Sequence, residues 1–251
     1  LYFNVQFCLC LYCNDKIKTM KTLVLIPSRL AATRLPGKPL LKINGLSIIS
    51  HVFKKAEKAN IGEVVVATSD QEIIDDVKKN GGQAVLTKNE HKTGTDRIYE
   101  ALQILNIQGI ELVMNLQGDE PLMNISDIRN LNNQMRKNKS QLGTLASKIC
   151  EKNFFKNRNV VKVLTNKTLD NKNFPEAKNF MRLASEKNKN IYHHLGIYCY
   201  QIQTLKNFTS LNQTSNELDN KLEQLRALDN NIKINVALAK SSPIGVDTKE
   251  D

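Results

Sequence analysis

Arg29, Arg34 and Lys38 share one short stretch, Pro27-Ser28-Arg29-Leu30-Ala31-Ala32-Thr33-Arg34-Leu35-Pro36-Gly37-Lys38-Pro39-Leu40, directly after the apolar run Leu23 to Ile26. A guanidinium offers phosphate oxygens a planar fork of donors, and a lysine ammonium adds a movable point charge. A basic loop of small residues at the carboxyl end of a first strand therefore suits a polyphosphate. The glycine spacing of dinucleotide-binding loops and the Walker A string are both absent from the chain, which argues against a dehydrogenase or a P-loop NTPase. Asp119 stands just past the apolar run Leu112 to Leu116, and Asp247 follows a second apolar run through a turn. Carboxylates in such places bind hard cations or cap turns; with triphosphate oxygens, two of them make a Mg²⁺ site, because that ion takes one or two carboxylates and keeps waters.

Elements of alternating kind must hold these loops. Short β-branched runs read as strands at Thr22–Ile26, Glu63–Thr68, Gln83–Leu86, Leu112–Leu116, Gly143–Lys148 and Val160–Thr165. Helical periodicity covers Ile48–Ala59, Gln71–Asn80, Gly94–Leu105 and Ile125–Lys137 between them. The alternation predicts an α/β fold, a mostly parallel sheet with flanking helices. Ser69-Asp70 ahead of Glu72 reads as an N-cap, and Ser126 with Arg129 as a partial one. Lys167 to Asn190 is rich in Asn and Lys and reads as loops and short elements over the sheet. Patterning resumes at Ile191 to Tyr200, followed by a helix over Asn220–Leu228 and a strand over Ile232–Ala239. Thr248 to Asp251 resembles the start of a helix.

The chain has 251 residues, 41% hydrophobic and 24% charged, with a formal net charge of +11. That balance suits one globular domain with an anionic partner, either a nucleotide with a sugar acid or a nucleic acid. Tryptophan is absent, the six tyrosines are not interleaved with the basic residues, and no nucleic-acid-binding motif occurs, so no nucleic acid is expected. Cys8, Cys10 and Cys13 crowd near the start without a fourth ligand nearby, and Cys150 and Cys199 are isolated; this suits a reducing cytoplasm better than a disulfide framework or a zinc site. The apolar run within residues 1–19 is shorter than the roughly 20 residues a membrane helix needs. We read 1–19 as an extension ahead of a domain spanning 20–251, with no membrane insertion.

Longer strings carry a resemblance. Pro27 to Leu40 is similar to the signature loop of the 3-deoxy-manno-octulosonate (Kdo) cytidylyltransferases, with Ser28 in place of the usual alanine. His91-Lys92-Thr93-Gly94-Thr95-Asp96-Arg97, Gln117-Gly118-Asp119-Glu120-Pro121, Asn157 to Lys162, His194-Leu195-Gly196-Ile197-Tyr198, Leu222-Glu223-Gln224-Leu225-Arg226 and Gly245-Val246-Asp247-Thr248 resemble further segments of that family in the same order. His193 stands where the family usually has arginine, and Asn179 to Ala184 matches only loosely.

The resemblance implies a Rossmann-like, nucleotide-diphospho-sugar transferase architecture. It also implies transfer of a cytidylyl group from CTP to the anomeric hydroxyl of Kdo, yielding CMP-Kdo and pyrophosphate for lipopolysaccharide biosynthesis. Mg²⁺ is the implied cofactor, held by Asp119 and Asp247, and Lys38, Arg29 and Arg34 are the implied catalytic and phosphate-binding residues. By the same resemblance the nucleotide also meets Thr93, Gly94, Thr95 and Gln117, and the sugar meets Arg182, His194, Tyr198, Glu223 and Gln224. A cytoplasmic homodimer is the implied assembly. Cytidylyltransferases for other sugar acids are the nearest alternative.

Overall fold

The computed structural model describes residues 21–31, 35–243, 245, 246, 248, 250 and 251. The extension 1–19, its three cysteines, Arg34 and Asp247 lie outside the described residues.

The first half of the chain repeats strand and helix. In order come β1 (Lys21–Ser28), the short hairpin β2 (Lys42–Ile43) and β3 (Leu46–Ser47), α1 (Ile48–Ala59), β4 (Gly62–Thr68), α2 (Gln71–Lys79), β5 (Ala84–Leu86), α3 (Gly94–Leu105), β6 (Ile110–Asn115), α4 (Ile125–Asn138) and β7 (Leu142–Ser147). The second half adds β8 (Lys162–Thr165), β9 (Ala177–Met181), β10 (Ile191–Gln201), α5 (Ile202–Ser210), α6 (Ser215–Asn220), α7 (Leu225–Asp229) and β11 (Ile234–Leu238). The main sheet runs β11-β7-β10-β6-β1-β4-β5, and β8 pairs with β10 and with β9. Pairing is parallel among β6, β1, β4 and β5 and between β7 and β11, whereas β10 lies antiparallel between β6 and β7. The sheet is thus mixed and mostly parallel, as its strand-helix alternation predicts.

Alternation along β1 explains the core. Leu23 and Leu25 pack on one face with Ile98 and Ala101 of α3, while Val24 and Ile26 pack on the other with Ile49 and Val52 of α1. Helices cover both faces, so the central strands are apolar on both sides and β1 is buried from Thr22 onward. α1 buries positions three and four apart (Ile49, Val52, Phe53, Ala56) and is closed by Ser47, whose side chain accepts from Ser50 N–H, and by left-handed Asn60.

Three expectations need correction. Asp70 occupies the N-cap position of α2 but makes no side-chain cap; its carboxylate instead accepts from the Leu30 N–H at 2.9 Å. The cap of α4 is Asn124, whose Oδ1 accepts from Ser126 N–H at 2.8 Å. The helix expected over Asn220–Leu228 is broken, because Lys221 adopts a left-handed conformation (φ 53°) that ends α6, and α7 begins only at Leu225. The Asn- and Lys-rich excursion also holds one strand, β9.

Candidate active site

The carboxyl ends of β1 and β6 and the N-terminus of α3 meet at one cavity of about 430 Å³, whose lining includes Ser28, Arg29, Lys38, Thr93, Gly94, Arg97, Gln117 and Asp119. Ligands of open α/β sheets bind at such strand ends. Small residues let the three elements converge. A Cβ on Gly118 would come within 2.9 Å of Pro27 O, and one on Gly94 within 3.2 Å of Pro27 Cγ.

The basic loop after β1 is tied at both ends. Asp70 holds the Leu30 amide, Leu30 O accepts from Gly37 N–H at 3.2 Å, and Gly37 takes the positive φ of 68° that turns the chain into the 3₁₀ turn Lys38–Leu40. That turn aims Lys38 inward. Its Nζ lies 2.7 Å from Asp119 Oδ2, with the lysine side chain 13% and the aspartate side chain 36% exposed.

The α3 end of the cavity is closed by a capping box. Thr93 Oγ1 accepts from the Asp96 N–H at 3.2 Å, and the Asp96 carboxylate accepts from the Thr93 N–H at 3.1 Å. Thr95, expected beside the base, is buried, and Asn115 Nδ2 donates to its hydroxyl at 3.5 Å. Gln117 Nε2 donates to Asn115 Oδ1 at 3.2 Å, which orients the amide at the cavity wall.

Two lining residues had no role in the sequence reading. Arg97 is buried and donates from Nη1 to Thr87 Oγ1 at 2.6 Å and Lys88 O at 3.1 Å. Burial lowers its pKa, Asp70 opposes that shift, and the nearby Arg29 charge adds to it. Two crowded cations facing one cavity call for an anion between them. A cation in the first turn of a helix, where the macrodipole disfavours it, was the available signal. His91 lies 2.6 Å from Glu100 Oε2. Burial would raise the Glu100 carboxyl, but hydrogen bonds from Lys88 N–H and His91 outweigh it and hold the pKa low.

A family model described as cytidylyltransferase matches residues 23–234. A 3-deoxy-manno-octulosonate cytidylyltransferase from Rhodopseudomonas palustris is 44% identical over 92% of this chain and 94% of its own length, and one from Brucella canis is 39% identical over 94% of each. This chain belongs to that family. A solved CMP:2-keto-3-deoxy-manno-octonic acid synthetase in complex with CTP superposes at TM-score 0.82 with 34% identity, covering 92% of this chain and 94% of that one. A cytidylyltransferase structure from Leptospira borgpetersenii, 19% identical at TM-score 0.60 over 92% of this chain and 83% of its own, shares the fold.

The residues that the family resemblance assigns to the sugar divide into two groups. His194, Tyr198 and Gln224 are buried and Glu223 is partly buried. Burial raises the Glu223 pKa, and the neighbouring Thr93 and Thr95 hydroxyls and the Arg226 charge oppose the rise, which places Glu223 next to the capped start of α3. Tyr198 is raised too, first by burial and then by the charges of Tyr200, Glu223 and Glu120. Arg226 fixes this corner: it grips Glu217 with Nε at 2.8 Å and Nη2 at 2.6 Å, and its guanidinium stacks 4.7 Å over Phe208. Arg182 is different. Its three nitrogens donate to backbone carbonyls of Asn220, Arg158 and Lys221 at 2.7 to 2.9 Å, so it clamps the α6–α7 turn to the loop before β8. Lys162 is fully buried behind it and donates to Asn157 O, Val160 O and Arg182 O, each at 2.7 Å. Burial and the Arg182 charge pull its pKa down to about 8.

Near its end the described chain passes Asp119. Val246 N–H donates to Asp119 O at 2.9 Å. Among the described residues no three His, Cys, Asp or Glu side chains converge as a metal cluster, and no helix is long and apolar enough to cross a membrane.

Proposed function

We infer that this chain transfers the cytidylyl group of CTP to the anomeric hydroxyl of Kdo. The C2 hydroxyl oxygen bonds to the α-phosphorus, the bond from that phosphorus to the bridging oxygen breaks, and pyrophosphate leaves. The observation that carries this is the Lys38–Asp119 pair, 2.7 Å apart in a cavity beside the capped start of α3. Catalysis here is alignment and charge stabilisation. Lys38 offsets charge growing on the α-phosphoryl group. Arg29 and Arg97 hold the β- and γ-phosphates, and Arg34, outside the described residues, belongs to the same loop. Gln117 and the backbone at Gly94 meet the base, and His194, Tyr198, Glu223 and Gln224 form the sugar side.

Mg²⁺ is part of this proposal. Asp119 suits it: a partly exposed carboxylate paired with a lysine that triphosphate would draw away. Asp247 would be the second ligand; the residue before it, Val246, donates its N–H to Asp119 O. Bound there, the ion would offset charge on the phosphate oxygens. A cytoplasmic homodimer is the assembly that the family resemblance supports.

Pyrophosphate release tests the substrate pair. Mixing the protein with CTP, Mg²⁺ and Kdo should release pyrophosphate, and omitting either substrate should abolish the release. Faster release with another sugar acid would move the chain to a different cytidylyltransferase specificity.

A further inference from the structure

β10 does not run straight. His194 and Leu195 face Ala146 and Leu145 on β7, and the next pair is Tyr198 with Thr144, so Gly196 and Ile197 bulge out without partners on β7. In a regular strand, residues four apart on one face stand about 13 Å apart. The His194 and Tyr198 ring centroids are 5.5 Å apart. The bulge leans on the turn after β6, for a Cβ on Gly196 would sit 3.2 Å from Glu120 Oε1 and 3.5 Å from Gln117 Cγ. Gln117 lines the cavity, so the bulge packs Gly196 behind the cavity wall and brings the His194 and Tyr198 rings together on either side of it.

One hydroxyl holds this arrangement. Thr144 is fully buried, and its Oγ1 lies 2.7 Å from Ile197 O, 3.3 Å from Leu195 O and 3.0 Å from His194 Nε2. A threonine hydroxyl has one proton to donate. The shortest contact assigns it to Ile197 O, so the same oxygen accepts from His194 and places the imidazole proton on Nε2. Burial, with His193 beside it, pushes His194 down to about 3, so the ring is neutral and Nδ1 is an acceptor. Valine would fill the same space on a buried strand without a polar atom to satisfy, and the hydroxyl is what distinguishes threonine there.

We propose that Thr144 is a positioning residue for the acceptor side of the site: its hydroxyl fixes both the β10 bulge and the Nε2–H form of His194, leaving Nδ1 to accept from a sugar hydroxyl. This rests on the cytidylyltransferase reading above.

Nitrogen-15 spectra of the imidazoles, resolvable in a chain with four histidines, together with KM for each substrate, test it in the wild type, Thr144→Val and Thr144→Ser. The wild type and Thr144→Ser should show His194 protonated at Nε2, and Thr144→Val should mix the two tautomers. KM for Kdo should rise about tenfold or more in Thr144→Val, since two buried polar groups lose their partner, while KM for CTP stays within about twofold. Thr144→Ser should restore the Kdo value. An Nδ1–H ring in the wild type overturns the proposal without any variant, as does a Thr144→Val protein with unchanged imidazole spectrum and KM values. The spectra need no turnover, so absence of pyrophosphate release by the wild type would count against the substrate assignment and leave the tautomer result to judge Thr144.

Discussion

Lys38 and Asp119 are 81 positions apart in sequence and 2.7 Å apart in the fold. Both were legible because each follows an apolar strand in a loop whose residue types suit phosphate or cation chemistry. Arg97 carried only the faint signal of a cation in the first turn of α3, and the fold shows that it lines the cavity together with Arg29. Resemblance assigned Arg182 to the sugar, yet its guanidinium donates to backbone carbonyl oxygens, a role that no spacing encodes. At this scale the proposed shared metal site makes a prediction. Asp119→Asn and Asp247→Asn should each cut turnover and raise the Mg²⁺ concentration for half-activity. The double variant should lose less than the product of the two, because groups acting as a unit are non-additive. Activity titrated against free Mg²⁺ checks this, and an Asp247→Asn protein with a wild-type curve would remove that residue from the site.

Helices α1 and α3 begin and end where their periodicity places them, since strong apolar spacing and good caps agree at both. β9 hid in a stretch whose composition is loop-like, and it is held by pairing with β8 that local sequence does not show. The break after α6 is equally silent, because the left-handed residue is Lys221, where glycine would have announced it. Asp70 has the type and place of a cap but serves the neighbouring loop, a tertiary contact overriding a local preference. Element by element, the cap of α3 is the most testable feature, since it both ends the helix and borders the cavity. Thr93→Ala should cost about 1 kcal/mol, lowering the melting temperature by roughly 2–4 °C for a domain of this size. It should also raise KM for CTP. Calorimetry and initial rates check the pair, and a loss of stability with unchanged KM would confine Thr93 to capping.

For the whole molecule, the strand-helix alternation foretold a mostly parallel sheet, but the antiparallel insertion of β10 between β6 and β7 was hidden, because register between distant strands leaves no local trace. Nearer its start β10 lies instead between β7 and β8, where His193 is half-buried and His194 buried, and burial, with Lys162 near the first and His193 near the second, lowers their pKa values to about 4 and about 3. The folded protein therefore keeps both neutral while the unfolded chain takes up protons from about pH 6.5. Their contribution is fully present above pH 6.5 and is lost as pH falls toward 4, by up to about 1.4 kcal/mol per pH unit for each group. Denaturant midpoints should fall over that window, and His193→Gln should flatten the slope; an unchanged slope in the variant would contradict neutral burial of His193. The central claim, that the cavity between β1, α3 and β6 performs cytidylyl transfer with Lys38 at the α-phosphate, is tested most directly by turnover of Lys38→Ala with CTP and Kdo both saturating. Turnover should drop about a hundredfold or more, with the melting temperature close to wild type. A Lys38→Ala protein that turns over at the wild-type rate would contradict it.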